Sequence, residues 1–346
     1  GSHSYFDHYQ GNKKTEPLAI GGYTTVKKVY SYQPIPEKLN GEKRKYILGA
    51  QGNVWTEYIP TPEHAMYMAL PRLCALSEVL WSKEENKNYE EFTERLISHF
   101  NLLDTLKMNY AKSIFDVNVS TSSIDNKNLF INLSSDLIKF DIRFTLDGSE
   151  PNLNSPKYTN PILISKSTIL KAALFDVKNR KGNVFSQRYN LNLATGKKIE
   201  LTNPPNKSYN TGGEKTLVDG VVGDLPWSGN QWLGWRGEDM ELNLDLGSTT
   251  SFSKIKMSFL KAPESWIHLP SQLYIKISND GIRYETLKTL NEFDVEKIAL
   301  EDQLFYEGKI TARFIKIVAP SRHIIPSGFA GEGEPAWMFC SEIIVE

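Results

Sequence analysis

Apolar and polar positions change rhythm twice along the chain. Near the start, Tyr5-Phe6-Asp7-His8-Tyr9-Gln10 sets polar and aromatic groups at alternate positions, and so does Val54-Trp55-Thr56-Glu57. Alternation predicts strands, in which side chains two apart face the same way. Residues 5–10 and 45–51 are read as strands on that basis. Tyr5 and Asp7 are expected on one face, and Trp55 and Glu57 on another. His8 points away from Asp7 and is read as structural. An aromatic wall, a phenol and two carboxylates aimed into one space make a sugar pocket.

The rhythm then becomes helical. Residues 25–32 form a short helical piece ended by Pro34 and Pro36. In Pro60-Thr61-Pro62-Glu63, Thr61 suits an N-cap, Pro62 the first helical position and Glu63 the first turn. Met66, Leu70, Leu73 and Leu80 recur at helical spacing, and Phe92, Leu96, Phe100 and Leu103 line a second helix. Arg72 and Glu78 are expected in an internal ion pair or cap, and Trp81 in the core. Strand, loop and helix in this order belong to a β/α barrel, with functional groups at strand C-termini. About two of its strands are present.

From about Ser113 the pattern shifts to short strands. Leu129-Phe130-Ile131-Asn132-Leu133, Asp141-Ile142-Arg143-Phe144-Thr145 and residues 168–175 alternate around the turn signal Asp147-Gly148-Ser149-Glu150-Pro151. Thr195-Gly196-Lys197-Lys198 and Asn203-Pro204-Pro205-Asn206 mark a linker. Strands are then predicted at 240–246, 252–259, 273–278, 312–318 and 339–345, with Asn279-Asp280-Gly281 as the clearest turn. The reading is multidomain. A partial (β/α)8 barrel fills 1–110, a small Ig-like β-sandwich 113–195, and a jelly-roll β-sandwich 197–346.

Composition narrows the function classes. The 346 residues are 40% hydrophobic and 23% charged, too apolar for disorder. A net charge of −1 gives no electrostatic case for nucleic acid or an anionic membrane. No apolar run approaches the roughly 20 residues of a membrane span. Cys74 and Cys340 fall in different predicted domains and are read as free thiols.

Several motifs together carry a resemblance. The first string, Glu16-Pro17-Leu18-Ala19-Ile20, Leu48-Gly49-Ala50-Gln51-Gly52-Asn53-Val54-Trp55-Thr56-Glu57, Pro71-Arg72-Leu73 and Glu78-Val79-Leu80-Trp81-Ser82 resemble, in order and spacing, the final barrel strands and helix of family 20 glycoside hydrolases. These are β-N-acetylhexosaminidases, and the likeness here is to bacterial ones. Arg143-Phe144-Thr145-Leu146-Asp147-Gly148-Ser149-Glu150-Pro151 and Ser155-Pro156-Lys157-Tyr158 resemble the sandwich that follows the barrel in bacterial chitobiases. Asp245-Leu246-Gly247, Ser278-Asn279-Asp280-Gly281 and Glu342-Ile343-Ile344-Val345 resemble a discoidin (F5/8 type C) or family 32 carbohydrate-binding domain.

The resemblance implies substrate-assisted, retaining hydrolysis of terminal β-linked N-acetylglucosamine or N-acetylgalactosamine, in which the 2-acetamido oxygen attacks C1. Tyr5 matches the tyrosine that bonds that oxygen. Trp55 matches a pocket wall, and Asp7 and Glu57 match carboxylates that accept the O4 and O6 hydroxyls. Such bonds are worth about 1.5–3 kcal/mol each. The family's adjacent Asp-Glu catalytic pair and its sugar-clamping arginine lie on earlier strands, and nothing before Tyr5 supplies them. Glu84-Glu85 and Glu90-Glu91 sit on or beside helices and do not replace the pair. The chain is therefore expected to be the C-terminal part of a longer exported enzyme, periplasmic, cell-surface or secreted, and inactive alone. A carbohydrate-binding or structural module with a barrel remnant is the alternative.

In the last domain Trp337 is expected to be packed, Trp232 and Trp235 structural, and Trp227 is a further aromatic of the same region. Trp266 and His268, between Pro263 and Pro270, are the exposed candidates for glycan contact. Catalysis needs no cofactor. Family likeness suggests one structural calcium, with Asp219 and Glu342 as loose matches to its ligands; calcium takes six to eight oxygens.

Overall fold

The computed structural model describes residues 3–39, 41–124, 128–210, 212–224, 231–291 and 303–346. Trp227 lies outside them. Two compact units emerge: 1–119 with 133–159 and 171–186, and 120–132 with 160–170 and 187–346.

The first unit opens with helices α1 (Val26–Tyr30), α2 (Gly41–Arg44), α3 (Pro62–Ala69), α4 (Arg72–Trp81) and α5 (Tyr89–Thr105). Thr61 caps α3 by accepting from the His64 amide at 3.1 Å. The helix read through residue 80 is two helices. Leu70, held extended at φ −98°, ψ 140° ahead of Pro71, ends α3, because a residue before proline avoids the helical region. Asn88 caps α5, accepting from the amides of Glu90 and Glu91. Both acids then sit at the positive end of the helix dipole. Phe92, Leu96, Phe100 and Leu103 are buried, as their spacing predicts. Trp81 is 90% exposed, against the expected core position. It falls off the stripe that α4 buries, Arg72, Ala75, Leu76 and Val79.

The two N-terminal strands do not form. Residues 5–10 hold only isolated parallel bridges, Tyr5 to Asn53 and Tyr9 to Tyr23, and residues 45–51 are in turn or irregular structure. The Phe6 amide donates to the Asn53 carbonyl and the Asn53 amide to the Ser4 carbonyl, each at 2.7 Å. A lone pair of strands is too marginal to extend further.

The middle of the chain supplies two three-stranded sheets. One orders β1 (Asn118–Ile124), β2 (Asn128–Ser134) and β4 (Ile162–Ile164). The other orders β3 (Asp141–Thr145), β5 (Thr168–Phe175) and β6 (Arg180–Tyr189). The first falls largely in the second unit, the other largely in the first.

The second unit is a β-sandwich built on β7 (Lys198–Leu201), β8 (Leu233–Arg236), β9 (Met240–Leu260), β10 (Leu273–Ser278), β11 (Glu285–Leu290), β12 (Gln303–Ala319) and β13 (Trp337–Val345). Their pairing order is β11-β10-β12-β9-β13-β8, with β7 also on β9. The strands predicted at 240–246 and 252–259 are one long strand that turns at Gly247, φ +87°. Its first half pairs with β7 and its second half with β13. Leu242, Leu244, Ile255, Met257 and Phe259 enter one core with Ile315 and Ile317, so β9 serves both layers.

Ile315 is fully buried and Ile282 is 81% exposed. Ile315→Ala is expected to cost about 2–5 kcal/mol, and Ile282→Ala less than about 0.5 kcal/mol. Urea unfolding of the two variants checks this.

Candidate functional site

Arg72 begins α4 and is fully buried. Its Nη1 donates to the carbonyls of His8 at 2.8 Å and Thr24 at 3.1 Å. Nε donates to the Met68 carbonyl at 3.1 Å, and Nη2 to the carbonyls of Phe6 and Met68. The guanidinium carbon lies 5.3 Å from the centre of the Phe6 ring. The expected ion pair is thus corrected: Arg72 bonds to backbone oxygens, and Glu78 pairs instead with Arg95 at 2.5 Å. Only the five-donor guanidinium fork can serve four carbonyls at once. Burial pushes its pKa down to about 9, with Glu16, Asp7 and Tyr67 opposing the shift. It stays a cation at neutral pH.

The clamped segment carries two of the predicted site residues. Tyr5 is half-buried, and its ring stacks on His8 at 5.4 Å between centroids. His8 Nδ1 shares a 3.1 Å hydrogen bond with Thr24 Oγ1, which fits its structural reading. Without a strand there is no common Tyr5–Asp7 face of the kind alternation predicts. Asp7 is buried, and its Oδ1 has no hydrogen-bond partner. Close packing here requires glycine: a Cβ on Gly52 would come within 2.5 Å of the Phe6 ring, and one on Gly22 within 2.4 Å of His8.

Trp55 is 58% exposed and Glu57 is exposed, in an extended segment that turns at Glu57. Their shared strand face is likewise absent. The Tyr5–Asn53 bridge ties the two motifs together two residues ahead of Trp55. The arrangement offers a buried carboxyl acceptor, a phenol and an open indole surface, the groups needed to receive hydroxyls and a sugar face.

One cluster escaped the sequence reading. Glu16 and Asp116 converge on Gly11, where a Cβ would lie 2.6 Å from Glu16 Oε1 and 2.9 Å from Asp116 Oδ2. Tyr67 and Ser113 bond to Glu16. Asn183 and the Asn12 backbone approach Asp116, and neither closes a full hydrogen bond. Burial, then the Glu16 charge, raise the Asp116 pKa to about 7. The tight Gly11 was the available signal, though glycine is common in loops.

In the second unit Trp232 and Trp235 are core residues, as expected, and Trp337 packs edge-on to Tyr209 and Phe339. The expectation that His268 is exposed is corrected. It is buried, stands edge-on to Phe329 at 5.2 Å, and its Nε2 has no partner. Trp266 is half-buried; a Cβ on Gly331 would meet its ring at 2.6 Å.

Asp219 and Glu342 do come together. Burial, then the Asp219 charge, hold the Glu342 carboxyl well above its usual range, and burial raises Asp219 to about 7. The Gly220 amide donates to Glu342 Oε1 at 3.2 Å, while Oε2 is buried without a partner. An orphaned carboxylate oxygen beside a second acid suits a hard cation. Among the described residues no group of three or more His, Cys, Asp and Glu gathers, so further oxygens would come from carbonyls or water. Both cysteines are free, and no helix among the described residues is long and apolar enough to cross a membrane.

Residues 1–84 match the glycosyl hydrolase family 20 catalytic domain. Residues 131–189 match an Fn3 associated region and 201–330 an F5/8 type C domain. A beta-hexosaminidase of Porphyromonas gingivalis is 37% identical over 171 residues, 48% of this chain and 22% of that protein. A beta-hexosaminidase of Akkermansia muciniphila is 37% identical over 79 residues, 22% of this chain and 15% of that protein. The chain thus spans about a fifth of these relatives' lengths. Among solved structures, chitosan-binding module 1 of a Paenibacillus sp. IK-5 chitosanase/glucanase aligns over 45% of this chain and 98% of its own, at 18% identity and TM-score 0.31.

The first unit carries a pH dependence through Asp116. Its pKa is 3.8 when unperturbed and about 7 in the fold. Between those values the folded state keeps a proton that the unfolded chain releases. This contribution to stability is complete below the lower value and is lost as pH rises through about 7. Asp116→Asn is expected to shrink the drop in melting temperature between about pH 5 and about pH 8, read by calorimetry.

Proposed function

We propose that this chain supplies the substrate-holding side of a β-N-acetylhexosaminidase site. The observation that carries the reading is Asp7: a buried carboxyl whose Oδ1 has no hydrogen-bond partner, next to half-buried Tyr5, within residues 1–84 that match family 20. Tyr5 holds the acetamido oxygen as it attacks C1. Asp7 and Glu57 accept sugar hydroxyls, and Trp55 covers the sugar face. The proton is moved by an Asp-Glu pair from the remainder of a family 20 domain. Terminal N-acetylhexosamines on extracellular or periplasmic glycans are the substrates, and the F5/8 type C region keeps the enzyme near them.

Two results test this. The 346-residue chain alone is expected not to hydrolyse nitrophenyl β-N-acetylglucosaminide; turnover by the pure chain would refute the division of labour. In the full-length protein Tyr5→Phe is expected to lower kcat by about 10²–10³, the usual loss for one donor that stabilises developing charge.

We further propose that Asp219 and Glu342 hold a calcium ion that joins the start of the F5/8 type C region to β13. Calcium is expected to raise the melting temperature of the chain, and Glu342→Gln to abolish the rise. Differential scanning calorimetry with calcium or with a chelator decides it.

A further inference from the structure

Arg72 stands out from the groups described above because it touches the candidate site only through the backbone. Its donors reach the carbonyls of Phe6 and His8, which flank Asp7 on both sides. The Thr24 carbonyl is held by the same Nη1, and the Thr24 hydroxyl binds the His8 ring on which Tyr5 stacks. One buried cation therefore fixes the peptide groups on either side of Asp7 and the platform under Tyr5. The Asp7 charge also acts on Arg72, favouring its cationic form.

We infer that Arg72 is a positioning residue for the reaction, setting the direction of the Asp7 carboxyl and the Tyr5 hydroxyl from behind the site. The inference rests on the hexosaminidase reading above. A stable fold alone would need only a filled, satisfied space at this position. Four carbonyls drawn from residues 6, 8, 24 and 68 place a much tighter demand, since a shift of about 1 Å in a substrate-positioning group costs of order 10²-fold in rate.

The test is a double-mutant cycle in the full-length protein, with kcat/KM for an aryl β-N-acetylglucosaminide measured per folded molecule. Lysine keeps the charge of Arg72 and loses the fork. Arg72→Lys is expected to cost about tenfold or more with Asp7 present, and under about threefold in an Asp7→Asn background, because coupled residues are not additive. Costs that multiply would overturn the inference, as would an Arg72→Lys protein that melts earlier yet keeps its kcat/KM. If Asp7→Asn alone leaves kcat/KM unchanged, the hexosaminidase reading of Asp7 fails and takes the inference with it. If Arg72→Lys does not fold, Phe6→Leu takes its place in the cycle. It removes the ring that the guanidinium crosses and keeps the carbonyl. The same coupling is expected, and multiplying costs would again refute the positioning role.

Discussion

The N-terminal unit depends on the burial of one cation. Among the described residues Arg72 forms no ion pair with a carboxylate, and an uncompensated buried charge costs several kcal/mol. The fold meets that cost with backbone carbonyls from four separate places, at residues 6, 8, 24 and 68. Those carbonyls must stay where they are for the guanidinium to remain satisfied. The candidate site inherits its geometry from that requirement, because two of them bracket Asp7. Gly52 and Gly22 follow from the same constraint: each leaves room for a ring, Phe6 or His8, that packs around the clamp.

The second unit solves a different problem by continuity of strand. A sandwich needs two layers that share a core, and β9 with β12 runs through both. Alternating burial along Met240–Leu260 lets one strand feed Leu242 and Leu244, then Met257 and Phe259, to the same interior. Gly247 provides the left-handed residue where the strand turns. The paired acids Asp219 and Glu342 stand apart from this apolar logic. The Asp219 charge disfavours ionisation of the fully buried Glu342 beside it, so their presence asks for a function beyond packing.

What the sequence made legible follows the physics of each signal. The buried stripe of α5 was readable because Phe92, Leu96, Phe100 and Leu103 repeat at helical spacing and face one core. The central strands of the second unit were readable for the analogous reason. Edge strands were not: β11 has exposed or half-exposed positions throughout, and β8 hides in a Trp- and Gly-rich loop. The N-terminal strands were over-read because alternation describes side chains, while a strand also needs partner backbones, and here only single bridges form. Tyr5 and Asp7 were found through the motif that contains them. The bonding of Arg72 was missed because no residue type announces that its partners will be carbonyls.

The charge balance around Arg72 links these points. Glu16 feels the charge of Arg72 and acts in turn on Asp116. The cation eases the ionisation of Glu16, and Glu16 in turn opposes that of Asp116. Desolvation acts on both acids in the same direction. Arg72 is not among the forces acting on Asp116, whose pKa is raised to about 7, while the bonds from Tyr67 and Ser113 favour charge on Glu16. The guanidinium thus acts on Glu16 and on the candidate site together: the Asp7 charge favours its cationic form, and Asp7 Oδ1 is buried without a hydrogen-bond partner.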